Sequence, residues 1–125
     1  MITLKTLPYA TEQEVFEQVA RHLLEQKQQS LNGHCECAYR GDAGLKCAAG
    51  CLIADDEYRV SFESENWASL VDAGHVPKKH KMLITRLQNI HDVITPTHWE
   101  RFLKMLAKNL GLAWAKVATE ARREF

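Results

Sequence analysis

The spacing of apolar residues along the chain predicts a mainly helical protein. Apolar side chains recur every three or four residues in four stretches, as in helices that bury one face. These main helices are predicted over residues 12–28, 77–94, 96–110 and 112–123. Two short helices are predicted over residues 47–53 and 67–73, where the apolar runs are brief.

Residues that favour helix ends mark several of these boundaries. Thr11 and Glu14 have the pattern of a capping box before the first helix. Asn66 is a typical N-cap, and Gly111 is a typical stop after the third main helix. Pro77 is expected at the first position of the second main helix, where the missing amide hydrogen of proline costs nothing.

One stretch after the first helix has the pattern of β structure. Residues 41–44 have the composition of a hairpin turn, and residues 39–40 and 45–46 flank it. The sequence therefore predicts a mainly α fold with a minor β component: a compact multi-helix domain with a short two-stranded β-hairpin inserted after the first helix. No repeat or linker divides the chain, so residues 1–125 are expected to form a single globular domain.

Composition and charge narrow the function. The chain has 125 residues with 16 basic and 16 acidic side chains, so its formal net charge is zero. A neutral chain argues against nonspecific nucleic-acid binding, which depends on many contacts between cations and phosphates. The longest apolar run has eight residues, too few to cross a membrane, which argues against a membrane partner. The N-terminus lacks the apolar core of a signal peptide, so a cytoplasmic location is expected.

The four cysteines fall within one short window: Cys35, Cys37, Cys47 and Cys51. On a hairpin beside a short helix, their thiolates could converge on tetrahedral zinc, which makes zinc the candidate cofactor. The alternative is that they are small core residues. A reactive thiol is a third interpretation, and Cys47 is its best candidate because it follows Lys46 at a predicted helix start. The chain lacks the common phosphate-binding and hydrolase motifs, so a non-enzymatic role is favoured.

A basic stretch precedes the second main helix. Lys78, Lys79 and Lys81 crowd the predicted helix start, where free amides and the helix dipole attract anions. Together with Arg40, these lysines predict a site for a nucleotide or another small anionic ligand. The alternative is a solvated basic turn.

Several blocks of the chain resemble a family of small uncharacterised proteins encoded by tailed phages, prophages and some bacteria. These blocks are CAYRG at 37–41, GLKCAAGCLI at 44–53, DDEY at 55–58 and LQNIHD at 87–92. The resemblance extends over residues 12–112 and implies no particular reaction. Its matching positions include Tyr39, Arg40, Cys47, Asp55, Glu57 and Tyr58. They are either functional residues or a structural signature in which Arg40 pairs with the acidic loop and Tyr58 anchors that loop.

The resemblance and the absence of catalytic motifs together favour a binding role. We expect a small phage-type accessory protein that binds a host or phage protein and acts as a non-enzymatic modulator or inhibitor. Its location would then be the cytoplasm of the bacterial host. A structural zinc-binding module and a protein that binds a small anionic ligand or nucleotide are the alternatives. The long amphipathic helices also leave a homodimer open.

Overall fold

The structure is a computed structural model that describes residues 1–114 and Val117. Four α-helices occur in this part of the chain: α1, Glu12–Gln26; α2, Trp67–Asp72; α3, Lys81–Val93; and α4, Trp99–Leu110. Helices α1, α3 and α4 contact one another pairwise, and α2 packs against α3. The core between them consists of buried apolar side chains such as Phe16, Leu87 and Leu103. None of the helices in the described part is long and apolar enough to span a membrane.

Several predicted helix ends are confirmed. The Thr11 hydroxyl accepts a hydrogen bond from the Glu14 amide at 3.1 Å, and the Glu14 carboxylate accepts one from the Thr11 amide at 2.8 Å. Asn66 caps α2 by accepting a hydrogen bond from the Ser69 amide at 2.8 Å. Gly111 ends α4 with φ of +68°, a left-handed conformation that glycine adopts without strain.

The predicted start of the second main helix is wrong by four residues. Helix α3 begins at Lys81, because His80 has a left-handed backbone conformation with φ of 64°. The His80 ring donates a hydrogen bond from Nε2 to the Ala10 carbonyl at 2.7 Å, which ties this turn to the residues before α1. Pro77 therefore precedes the helix instead of opening it.

The two remaining predicted helices also need correction. The stretch 96–110 begins with a 3₁₀ turn, Pro96–His98, and continues as α4. Of the predicted helix over 112–123, residues 112–114 are not helical, whereas Val117 is helical, as predicted, and buried. The rest of that prediction lies outside the described residues.

The predicted β-hairpin is wrong. Residues 1–114 contain no strand, only an isolated antiparallel bridge between Leu31 and Cys37. The supposed hairpin turn is a 3₁₀ turn, Asp42–Gly44. The amides of Tyr39 and Arg40, which would have paired with a second strand, instead donate to the Glu63 carboxylate at 2.9 and 3.0 Å. The short helix predicted over 47–53 is a further 3₁₀ turn, Ala49–Leu52.

Residues 27–66, here called the connecting segment, are held against α1 by polar side chains. Gln18, His22 and Gln26 lie four residues apart and therefore share one face of the helix. Gln26 accepts a hydrogen bond from the Lys46 amide at 3.0 Å and donates one to the Lys46 carbonyl at 2.8 Å. His22 Nε2 donates to the same carbonyl at 2.9 Å, and Gln18 donates to the Cys51 carbonyl at 3.2 Å.

Candidate functional site

Arg40 lies at the centre of the connecting segment and binds its backbone. Its guanidinium donates to the carbonyls of Gly50 at 2.9 Å and Ile53 at 2.6 Å, and forms an ion pair with Asp55 at 3.2 Å. The guanidinium also lies over the Tyr58 ring, 5.0 Å from its centroid. The hypothesis that Arg40 pairs with the acidic loop is confirmed. These bonds stabilise the segment and use donors on both terminal nitrogens of the guanidinium.

Two carboxylates, those of Glu63 and Glu57, accept hydrogen bonds from backbone amides of the same segment and of the N-terminal residues. Glu63 accepts hydrogen bonds from the Tyr39 and Arg40 amides and from the Tyr58 hydroxyl at 2.6 Å. Glu57 accepts from the amides of Leu4 at 2.9 Å, Lys5 at 3.0 Å and Ala54 at 2.9 Å. The motif positions Arg40 and Glu57 therefore satisfy backbone groups that no regular element would pair, as the structural-signature interpretation required, while Tyr58 and Asp55 bind the side chains of Glu63 and Arg40. Sequence reasoning missed Glu63, whose amide partners lie more than twenty residues away.

The four cysteines do not form one metal site. Cys35 and Cys37 are exposed, Cys47 is buried and Cys51 is partly buried. In residues 1–114, no group of potential ligands contains more than one of them. Burial raises the pKa of the Cys47 thiol far above its ordinary value and raises the pKa of Cys51 to about 12. Both thiols are therefore protonated at neutral pH, which removes the basis for a nucleophilic Cys47.

One mixed group of potential ligands is present, formed by Cys37, His91 and Asp92 with ligand atoms within 4.8 Å of one another. His91 is fully buried and stacks on Trp99 with ring centroids 5.6 Å apart. Its Nε2 accepts a hydrogen bond from the Ser30 amide at 2.9 Å, so the proton lies on Nδ1 and is donated to Asp92 at 2.7 Å.

That proton position decides what the group can do. A metal on Nδ1 would move the ring proton to Nε2, where it would face the Ser30 amide hydrogen, whereas ligating histidines donate from their second nitrogen. Burial and the Asp92 carboxylate raise the pKa of the Cys37 thiol to about 11. The group is therefore better suited to joining α3 to the connecting segment than to binding metal or activating a thiol.

The lysines of the predicted anion site lie at and just before the start of α3. Lys78 and Lys79 are exposed residues that precede α3. Lys81 occupies the first position of the helix, and its ammonium forms an ion pair with Asp72 at 3.2 Å. Two of the four predicted anion ligands are therefore already paired with carboxylates, Arg40 with Asp55 and Lys81 with Asp72.

A polar cleft of about 280 Å³ lies between the connecting segment, the start of α2 and α3. Its walls include Cys37, Tyr39, Glu63, Ser64, Glu65, Asn66, Trp67, Gln88 and Asp92. We call it the Trp67 cleft. Trp67 is 2% exposed, and its indole Nε1 has no hydrogen-bond partner. A buried donor left without an acceptor costs about 1–3 kcal/mol, and Nε1 of Trp114 is a second such donor.

The Trp67 cleft is electronegative. The pKa of the Tyr39 hydroxyl is raised far above its ordinary value, first by burial and then by surrounding negative groups that include Glu63, Asp92 and Glu65. Glu63 and Asp92 accept hydrogen bonds from neutral groups, which include backbone amides, the Tyr58 hydroxyl, the Gln88 amide and the His91 ring. These bonds hold the carboxylates in place without cancelling their charge.

Sequence reasoning did not single out the residues that form this cleft. Glu63, Glu65 and Trp67 belong to none of the sequence blocks described above. The LQNIHD block was the one available signal, since Gln88 and Asp92 both line the cleft. No protein-family profile, curated protein or solved structure that we compared with the chain matches it.

Proposed function

We propose that the protein acts by binding another protein and not by catalysing a reaction. In this proposal it is a small accessory protein of the type that phages encode, and it modulates or inhibits a host or phage protein in the bacterial cytoplasm. The resemblance of the YRG and GLKCA blocks motivates the phage context. The organisation of the connecting segment supports the non-enzymatic role, because Arg40, Glu57 and Glu63 all bind backbone groups.

The observation that carries the proposal is the Trp67 cleft. Its lining includes the exposed side chains of Ser64 and Glu65 and the carboxylates of Glu63 and Asp92. A bound chain that supplies hydrogen-bond donors would pair with these carboxylates. The cleft volume of about 280 Å³ lies just below the range of about 300–1,000 Å³ that is usual for small-molecule pockets. It suits one inserted side chain of a partner better than a cofactor.

A thiol-dependent reaction is less well supported. The pKa values of Cys37 and Cys51 are about 11 and 12, and Cys47 is buried with a pKa raised further. An activated cysteine needs the opposite shift. The imidazole next to Cys37 is His91, and both of its ring nitrogens are already engaged.

The experiment compares two substitutions in one 3₁₀ turn, Val60–Ser64. Ser64 is exposed and lines the Trp67 cleft, whereas Ser61 is exposed and does not. Ser64→Tyr should plug the cleft, and Ser61→Tyr is the matched control for adding the same bulk to the same turn. Wild type and both variants are immobilised at equal density and exposed to a lysate of the source organism, after circular dichroism and thermal unfolding have shown that all three fold.

The expected result is a protein captured near one-to-one stoichiometry by wild type and Ser61→Tyr, and lost with Ser64→Tyr. Capture by all three proteins alike would place any interaction elsewhere and contradict the role of the cleft. If wild type retains no specific protein at high loading, the binding function itself is wrong.

A further inference from the structure

We propose that His91 is a pH-sensitive latch: a second proton on its ring breaks the hydrogen bond to Ser30 and releases residues 29–38, here called the latched loop, from α3. The inference concerns a conformational device built into the fold, and it does not depend on what the Trp67 cleft binds. It rests on the geometry of a fully buried imidazole that accepts a hydrogen bond from the connecting segment.

The latch joins the start of the connecting segment to the end of α3. The His91 ring accepts the Ser30 amide hydrogen at Nε2, with 2.9 Å between the nitrogens. One residue earlier, the Gln29 side chain donates to the carbonyls of His91 at 3.0 Å and Asp92 at 3.3 Å. Ser30 is fully buried, so water cannot replace the ring as the partner of its amide without an opening of the structure.

The latched loop is closed at its base by Ser30. The Ser30 carbonyl accepts a hydrogen bond from the Ala38 amide at 3.0 Å, and its hydroxyl donates to the Ala38 carbonyl at 2.7 Å. Between these two residues, residues 33–37 are exposed. Because Ser30 holds both ends of the loop, loss of its bond to His91 would release the loop as one unit. Cys37 and Ala38 line the Trp67 cleft, so the release would also change one wall of that cleft.

A second proton would change Nε2 of His91 from an acceptor to a donor. In the neutral ring the proton lies on Nδ1 and is donated to Asp92 at 2.7 Å. The doubly protonated ring has a hydrogen on each nitrogen and no acceptor left. Its new hydrogen would face the Ser30 amide hydrogen across a gap of 2.9 Å between the nitrogens, so the ring and the amide would have to separate.

The groups around the ring both favour and oppose a second proton. Asp92 on α3 favours it, because its carboxylate accepts the Nδ1 hydrogen and would pair with a charged ring. Full burial opposes it, and so does a charged His22 on α1, whose pKa is lowered first by burial and more weakly by this ring. In the connecting segment, the thiols of Cys37 and Cys47 interact with Asp92, have raised pKa values and are uncharged. The facing side chain of α4 is Trp99, which stacks on the ring and does not titrate.

The test follows the ring and the amide together in the ¹⁵N-labelled full chain, as the pH is lowered from about 7.5 to about 4.5 across the range of histidine titration. Long-range ¹H–¹⁵N spectra report which ring nitrogens are protonated. Native-state hydrogen exchange, corrected for the intrinsic effect of pH, reports the protection of backbone amides.

We expect His91 to carry its proton on Nδ1 alone at neutral pH. As the second proton binds, protection of the Ser30 amide should fall roughly tenfold to hundredfold, as expected for the loss of one buried hydrogen bond. The amide of Leu103, a fully buried residue of α4, should keep its protection, because the helical core stays folded.

Two variants localise the effect. In His91→Gln, the side-chain oxygen can accept the Ser30 hydrogen in place of Nε2 but does not titrate, so protection of Ser30 should not change over this pH range. His34→Gln removes an exposed histidine and should keep the wild-type response. If His91→Gln does not fold without the stacking on Trp99, the wild-type titration decides alone.

Three results in the wild-type chain would overturn the latch. The His91 ring stays neutral until the whole chain unfolds, or it takes up a second proton while protection of Ser30 is unchanged, or the loss at Ser30 is matched by an equal loss at Leu103. A folded His91→Gln variant that keeps the wild-type pH response would contradict it as well. Selective loss of protection at Ser30 in step with the second proton supports it.

Discussion

The helical part of the molecule and the connecting segment are stabilised by different groups. In α1, α3 and α4, apolar side chains such as Phe16, Leu87 and Leu103 fill a common core. In residues 27–66, charged and amide side chains bind backbone amides and carbonyls that no helix or sheet pairs, as Arg40 and Glu63 do. The comparison teaches that a segment without regular structure can be well packed when side chains replace the missing backbone partners.

The largest expected effect lies in the helical part. Leu87→Ala should lower the free energy of unfolding by about 2–5 kcal/mol, because a fully buried side chain is lost and a cavity remains. Met82→Ala on the same helix is the control, since Met82 is 57% exposed and should change stability by less than about 0.5 kcal/mol. Urea unfolding measures both. Equal destabilisation by the two variants would contradict the described burial of α3.

The next effect tests the connecting segment. Glu63→Gln replaces one carboxylate oxygen by an NH₂ group, which would face hydrogen-bond donors such as the Tyr39 and Arg40 amides. Because that contact is repulsive, the free energy of unfolding should fall by about 2–3 kcal/mol. Hydrogen exchange should then show faster exchange at the Tyr39 and Arg40 amides than in wild type. The control is Glu65→Gln two residues later, where the side chain is exposed and no loss of protection is expected. If Glu63→Gln keeps wild-type protection at both amides, the carboxylate does not hold the segment.

A smaller effect is expected where α1 meets the connecting segment. Burial, the largest cause, lowers the pKa of His22 below 6.5, so the unfolded chain takes up a proton first on acidification. The contribution of His22 to the free energy of unfolding is therefore complete at pH values above the pKa of the unfolded state. It is lost as the pH falls below that pKa, by at most about 1.4 kcal/mol per pH unit. Urea unfolding from about pH 7.5 to about pH 5.5 should show a shallower slope for His22→Gln than for the exposed-site control His34→Gln. Identical slopes would refute the assignment to His22.

The smallest expected effect is a difference in the rates at which the cysteines react with an alkylating reagent. With its pKa raised from 9.0 to about 11, Cys37 should form thiolate about 100-fold less than an ordinary cysteine at neutral pH. Iodoacetamide labelling followed by peptide mass spectrometry should therefore modify exposed Cys35 first, then Cys37, and buried Cys47 only with unfolding. Rapid labelling of Cys47 in the folded protein would instead restore the reactive-thiol interpretation.

Local patterns predicted the helical part well. The capping box at Thr11, the cap at Asn66 and the stop at Gly111 depend on residues within a few positions, so they can be recognised without knowing the fold. The start of α3 could not be recognised in this way. The left-handed turn at His80 is held by the carbonyl of Ala10, a residue seventy positions away.

The hairpin prediction failed for a related reason. Residues 41–44 do form a tight turn, but Glu63 accepts the hydrogen bonds of Tyr39 and Arg40 that a second strand would have accepted. The close approach of Gly50 to the Tyr39 carbonyl adds a second constraint, since a side chain at Gly50 would overlap that oxygen. Both constraints join residues that are distant in sequence, and neither has a local pattern.

For the candidate site, too, some features could be predicted from the sequence and others depended on the tertiary structure. The sequence by itself determined that the helices bury one face each, because periodicity carries that information, whereas Tyr39, Arg40, Asp55 and Tyr58 were marked as matching positions only by the family resemblance. Only the tertiary structure decided that Arg40 binds carbonyls, that the four cysteines do not converge on one metal site, and that Trp67 lines a cleft with three carboxylates. The physical reason is that hydrogen bonding and charge compensation depend on which groups meet in space, and in this chain the decisive partners are 10 to 70 residues apart.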